Sequence, residues 1–69
     1  MAVSYNRLWK LLIDKNLKRT DLKDLAGISS NVLAKLGKNL PVAVDSLEKI
    51  CRSLDCNIED IMEFINEKQ

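Results

Sequence analysis

Tyr5, Leu8, Trp9 and Leu12 recur at i, i+3, i+4 and i+7, and the same spacing returns in Leu47, Ile50, Cys51 and Leu54 and again in Ile58, Ile61, Met62 and Ile65. Apolar residues at that period line one side of a helix. Two shorter stripes lie between them: Leu22, Leu25 and Ala26, then Val32, Leu33 and Leu36. With two Gly and one Pro in the chain there is little turn material for a many-stranded sheet. The expected fold class is all-α, a compact five-helix domain in which residues 1–69 act as one unit.

Start and stop signals divide the stripes. Ser4 is a plausible N-cap for a first helix over about residues 5–15, and Leu17 follows as an apolar plug in the connection. Thr20 can cap a second, short helix, with Asp21 and Asp24 in the first turn where the helix dipole favours negative charge. Gly27 stops it, being the residue best suited to a left-handed backbone, and Ile28 anchors the turn. Ser29 caps a third helix over residues 30–38, which Gly37, Asn39 and Pro41 bring to an end. Asp45 with Glu48 three residues on has the form of a capping box for the fourth helix. Asn57 caps the fifth, with Glu59 and Asp60 in its first turn and Phe64 widening its apolar stripe. Residues 66–69 are expected to fray.

Several function classes are disfavoured at this point. The chain has no His, and Cys51 and Cys56 are too few for a metal site, which ordinarily takes four ligands. No Ser lies beside an obvious general base, so no cofactor, small-molecule substrate or catalysis is expected. No run of eighteen apolar residues occurs, which argues against a membrane span, and the start of the chain lacks a secretory signal. A cytoplasmic, nucleoid-associated protein with two buried free thiols is the reading that follows.

The net charge of +1 conceals a dipole. Residues 1–40 carry eight Lys or Arg against three Asp, while residues 41–69 carry three basic residues against seven acidic. Such a molecule can offer a basic face to phosphate although its total charge is small.

The stretch from Thr20 to Leu36 meets the requirements of a helix-turn-helix: a short helix, a Gly turn and a second helix with a free outer side. Ala26 permits close approach of the two helices, Gly27 the reversal, and Ile28 the anchoring of the turn. At these residues the chain resembles the Cro and phage-repressor (Xre) type of helix-turn-helix DNA-binding domain, the lambda-repressor-like group. Leu22, Ala26-Gly27-Ile28-Ser29 and Leu33 follow that family's pattern. Residues 47–56 look like its fourth helix and residues 58–62 like its fifth, so the likeness extends over about residues 5–65. Three positions depart from the pattern: Lys23 stands where Ala is usual, Arg19 where Gln is usual, and Gly37 where Glu is common.

The resemblance implies sequence-specific binding of double-stranded DNA and regulation of transcription, chiefly repression, by insertion of residues 30–38 into the major groove. It places base contacts at Ser30, Asn31, Ala34 and Lys35. The chemistry is suitable, since Asn pairs bidentately with adenine, Lys donates to guanine O6 and N7, and Ala can touch a thymine methyl. Phosphate contacts fall to Arg19, Ser29, Lys38 and Asn39, with Lys10, Lys18 and Lys23 at the periphery. Taken singly, Ser29 is explained as a cap, Asn31 and Lys35 as solvated surface, and Trp9 as core. Ile61, Phe64 and Ile65 of the fifth helix are the expected contact of a homodimer, the alternative being that this apolar face serves only to complete the core. The alternative function is a protein-interaction module, antitoxin-like or an accessory partner, that keeps the fold with weak affinity for DNA.

Overall fold

The computed structural model describes residues 2–66. In chain order these form β1 (Ala2–Ser4), α1 (Asn6–Asp14), α2 (Arg19–Ala26), α3 (Ser30–Gly37), α4 (Val44–Leu54), a 3₁₀ turn (Ile58–Asp60) and β2 (Glu63–Ile65). The two strands pair antiparallel, with Ala2 opposite Ile65, Val3 opposite Phe64 and Ser4 opposite Glu63. The expected fraying over residues 67–69 lies outside the described residues.

Periodicity and packing agree over most of the chain. Leu8 and Leu12 of α1, Leu22 and Ala26 of α2, and Leu36 of α3 meet Leu47, Ile50 and Leu54 of α4 in one core, which Tyr5, Ile28 and Ile61 complete. Trp9, Leu17, Val32, Leu33 and Cys51 pack against its margin, partly buried. Leu25 does not join: it is 55% exposed, on the outer side of α2.

The five-helix expectation is corrected at the C-terminal end. Asn57 does open a helical turn, its N–H donating to Asp60 Oδ2 at 3.0 Å, and Ile61 reaches the core with no exposed surface. The chain then straightens into β2. A helix of two turns is weakly favoured on its own because nucleation is costly. Glu63-Phe64-Ile65, by contrast, finds in β1 a partner for its backbone N–H and C=O groups and carries an aromatic and a β-branched residue suited to a strand. The domain is therefore mostly helical with a small two-stranded sheet, not all-α. Arg7 of α1 ties this end down, donating to the Glu59 carbonyl at 2.9 Å and pairing with Glu63 at 3.2 Å.

Three caps also differ from expectation. Lys18, not Thr20, occupies the cap position of α2, and Asp21 reaches back to accept its N–H at 2.9 Å. Helix α4 begins two residues early, at Val44, with extended Ala43 in the cap position. That puts Asp45 inside the first turn, where it still faces the positive end of the helix dipole. Glu48 then pairs with Arg52 at 2.9 Å instead of closing a capping box. Ser4 is fully buried in β1, yet its Oγ accepts the Asn6 N–H at 3.3 Å.

Candidate nucleic-acid interface

Helices α2 and α3 are joined by three residues whose local chemistry fixes the turn. Gly27 sits in the left-handed region at φ +68°. Its N–H donates to the Lys23 carbonyl at 3.0 Å, and the Ile28 N–H donates to the same oxygen at 3.2 Å. Those bonds satisfy a carbonyl that the end of α2 would otherwise leave unpaired. Ile28 is buried and holds the turn against the core. Ser29 then starts α3 as a true N-cap, Oγ accepting the Val32 N–H at 3.2 Å.

The helix so launched has two unlike sides. Leu36 is fully buried, and Val32 and Leu33 are half-buried beside it. Ser30, Asn31, Ala34, Lys35 and Lys38 are all exposed. Their spacing (i, i+1, i+4, i+5, i+8) puts them on one side of the helix. The four residues expected to touch bases therefore share a free face, with Lys38 at its C-terminal end. Such a face is narrow enough to enter a major groove, and its amide, ammonium and methyl groups suit base edges there.

The C-terminal end of α3 is held from the far end of the chain. Asn39 adopts a left-handed backbone at φ +56°, which Asn tolerates better than most residues. Its Oδ1 accepts the Tyr5 N–H at 3.1 Å, and the Tyr5 hydroxyl donates to the Leu40 carbonyl at 2.8 Å. With Oδ1 engaged, exposed Asn39 keeps its Nδ2 donors for another partner. Burial pushes the Tyr5 phenol pKa above its ordinary value, so the hydroxyl remains a donor.

Arg19, the first residue of α2, lies with Cζ 3.9 Å from the centre of the Trp9 ring. Its Nη1 stands 3.3 Å from the place where a Cβ on Gly37 would be. Arg19 thus reaches the same end of α3 as Lys38 and Asn39. Lys18 is exposed just before it, and Lys23 is half-buried along α2. Lys10 is placed differently: it lines a shallow hollow with Asp14, Glu59 and Asp60, whose carboxylates would repel a phosphate. Arg7 is engaged in the ion pair with Glu63.

Sequence reasoning missed two positions. Tyr5 reads as a core aromatic, but both its polar groups secure the loop after α3. Trp9 reads as core, but its half-buried ring also carries a guanidinium. No periodic signal joins residues 5 and 39, or 9 and 19, because each pair meets across intervening loops.

The residues expected at a dimer contact divide. Ile61 belongs to the monomer core, and that expectation is corrected: its side chain has no surface to offer. Phe64 and Ile65 are 67% and 43% exposed on β2. Phe64 borders an apolar groove of about 830 Å³ lined also by Val3, Val42, Val44, Ile58 and Met62.

Cys51 and Cys56 are free, half-buried thiols that face one another. Burial raises both pKa values, that of Cys56 to about 11. Among the described residues no three His, Cys, Asp or Glu side chains gather as a metal site would require, and no helix is long and apolar enough to cross a membrane.

Comparison with known proteins agrees with this geometry. The profile of the Cro/C1-type HTH DNA-binding domain matches residues 7–67. A crystal structure of the transcriptional regulator VanUg (form II) superposes with a TM-score of 0.92 at 47% identity, over 96% of this chain and 88% of that one. No curated protein matches.

Proposed function

The chain belongs to the Cro/C1-type helix-turn-helix DNA-binding family, and from that premise we propose that it regulates transcription by laying the exposed face of α3 in the major groove of a specific site. The family is one of DNA-binding regulators and not of catalysts. The observation that carries the specific reading is the contrast across α3: Leu36 fully buried, with Ser30, Asn31, Ala34, Lys35 and Lys38 exposed together. In this reading Asn31 and Lys35 read base edges, while Ser30 and Ala34 make shorter contacts. Ser29, Lys38, Asn39, Arg19 and Lys18 meet phosphates, and Lys23 adds charge behind them. Blocking of a promoter by the bound domain is the simplest mode of action, in the same cellular compartment as the DNA.

A single module reads few base pairs, whereas a pair of modules spans half-sites about 34–36 Å apart. The exposed Phe64 and Ile65 beside the apolar groove favour a two-fold contact through β2. Sedimentation of the free protein and of its DNA complex tests that assembly: a monomer in both rules it out.

The central experiment is titration of selected and random duplexes at low and moderate salt. Asn31→Ala should cost about 1–3 kcal/mol on the selected site and little on random DNA. Lys38→Ala should weaken both equally and reduce the salt slope by about one. Salt-insensitive binding, or none, would favour the protein-interaction alternative.

A further inference from the structure

Arg19 is the first residue of α2, a place where the helix dipole disfavours a cation. Among the described residues it makes no ion pair; the two that occur are Arg7 with Glu63 and Arg52 with Glu48. Its guanidinium instead rests on the Trp9 ring, Cζ 3.9 Å from the centroid. Its tip lies over Gly37, so close that a Cβ there would stand 3.3 Å from Nη1. An exposed arginine without a carboxylate partner is thus held against an aromatic from α1, with its tip beside the bare backbone of α3.

That manner of fixing has a chemical consequence. A guanidinium stacked on a ring uses the face of its plane, and its five N–H donors, which lie in that plane, remain available. A carboxylate partner would have consumed the same donors. The stack therefore orders the side chain before any ligand arrives and leaves its fork open to the bidentate geometry of a phosphate. The tip is directed to the end of α3 where Lys38 and Asn39 also lie.

We infer that Trp9 is a positioning residue for DNA: it holds the Arg19 guanidinium across Gly37 so that Arg19 clamps a backbone phosphate while α3 lies in the groove. This rests on the DNA-binding reading given above. Trp9 itself touches no nucleic acid in this arrangement.

The test is a double-mutant cycle on the full chain, with a mixed-sequence duplex as the probe at low salt. Trp9→Leu should weaken binding about three- to fivefold, the scale of an exposed cation–π contact. Trp9→Phe, which keeps an aromatic face, should recover much of that loss. In an Arg19→Ala background Trp9→Leu should have almost no further effect on DNA affinity. Thermal melting by circular dichroism establishes that each variant is folded, and exposed Arg19 is safe to replace in any case. Gly37→Ala gives a second readout: it should favour the helix, because Ala outranks Gly there, and yet weaken DNA binding by displacing the guanidinium. A Trp9→Leu loss of equal size with and without Arg19 would overturn the inference and leave Trp9 a packing residue. So would full affinity in folded Trp9→Leu. Absence of any binding by the unsubstituted chain would overturn this inference together with the DNA reading, so the two failures are distinct.

Discussion

Tyr5 holds Asn39 through a backbone N–H donated to Oδ1 at 3.1 Å, and its own hydroxyl fastens the next carbonyl, that of Leu40, at 2.8 Å. A residue from β1's end of the fold thereby fixes the left-handed turn that ends α3. Removal of one partner leaves a part-buried polar group unmatched, which is more damaging than the net value of the bond itself.

Tyr5→Phe should accordingly lower stability by about 1–2 kcal/mol. Asn39→Ala should lower it more than Asn39→Gly, because Ala loses the acceptor and also resists the positive φ, whereas Gly loses the acceptor alone. Urea denaturation midpoints of the three variants check the order.

Gly27→Ala isolates a backbone effect. A Cβ at this position would meet nothing within 4 Å, so no clash contributes. The loss should be about 1–2 kcal/mol, the strain of a left-handed Ala, and Gly27→Asn should lose less. A larger loss for Ala in denaturant titration would mean that the turn moves.

Two neighbouring apolar residues should behave oppositely. Ile61→Ala, in the core, should cost about 2–5 kcal/mol. Phe64→Ser, on the exposed side of β2, should change monomer stability by no more than about 0.5 kcal/mol. If β2 forms the two-fold contact, Phe64→Ser should shift sedimentation toward monomer without altering the melting of the monomeric form.

The ionisable groups at the core margin set an alkaline limit. Folding raises the pKa of Tyr5 above 10.0 and those of Cys51 and Cys56 above 9.0, Cys56 to about 11, with burial as the main cause. Because the neutral forms are the ones favoured in the folded chain, their stabilisation is complete below about pH 9. It falls as pH climbs through the folded values. Melting temperatures should therefore stay level to about pH 9 and drop beyond it, and replacing both cysteines by Ala should flatten the first part of the drop. Labelling of the native thiols by a disulfide reagent at pH 8 should be slow and should quicken on unfolding, since the thiolate is the reactive form.

The helix-turn-helix was legible because its determinants are local. Gly27 and Ser29 act on their immediate neighbours, and the stripe Val32, Leu33, Leu36 needs only one helical turn to be read. The error at the C-terminal end has the opposite origin. Ile58, Ile61, Met62 and Ile65 fit a helical period, but the state of Glu63–Ile65 depends on Ala2–Ser4, and strand propensity takes its meaning from such distant partners. The cap expected at Asp45 falls two residues earlier, at Ala43, since Val44 and Asp45 both enter α4. Arg19 and Gly37, which stand out in the sequence as separate departures from the family pattern, meet in the fold: the missing side chain at one makes room for the longer side chain at the other. Their pairing is a matter of tertiary distance and has no signature along the chain.

The strand pair has a consequence for how the protein is made. Ala2 and Ile65 are 63 residues apart, so the strand pair closes the longest loop among the described residues. During synthesis β1 precedes its partner by about sixty residues, so its pairing edge stays open until β2 has been made. The helices between the strands contain the turn and the exposed face of α3, and they can assemble in that interval. The pairing of β1 with β2 follows them, and Tyr5, directly after β1, is the residue that fastens the end of α3.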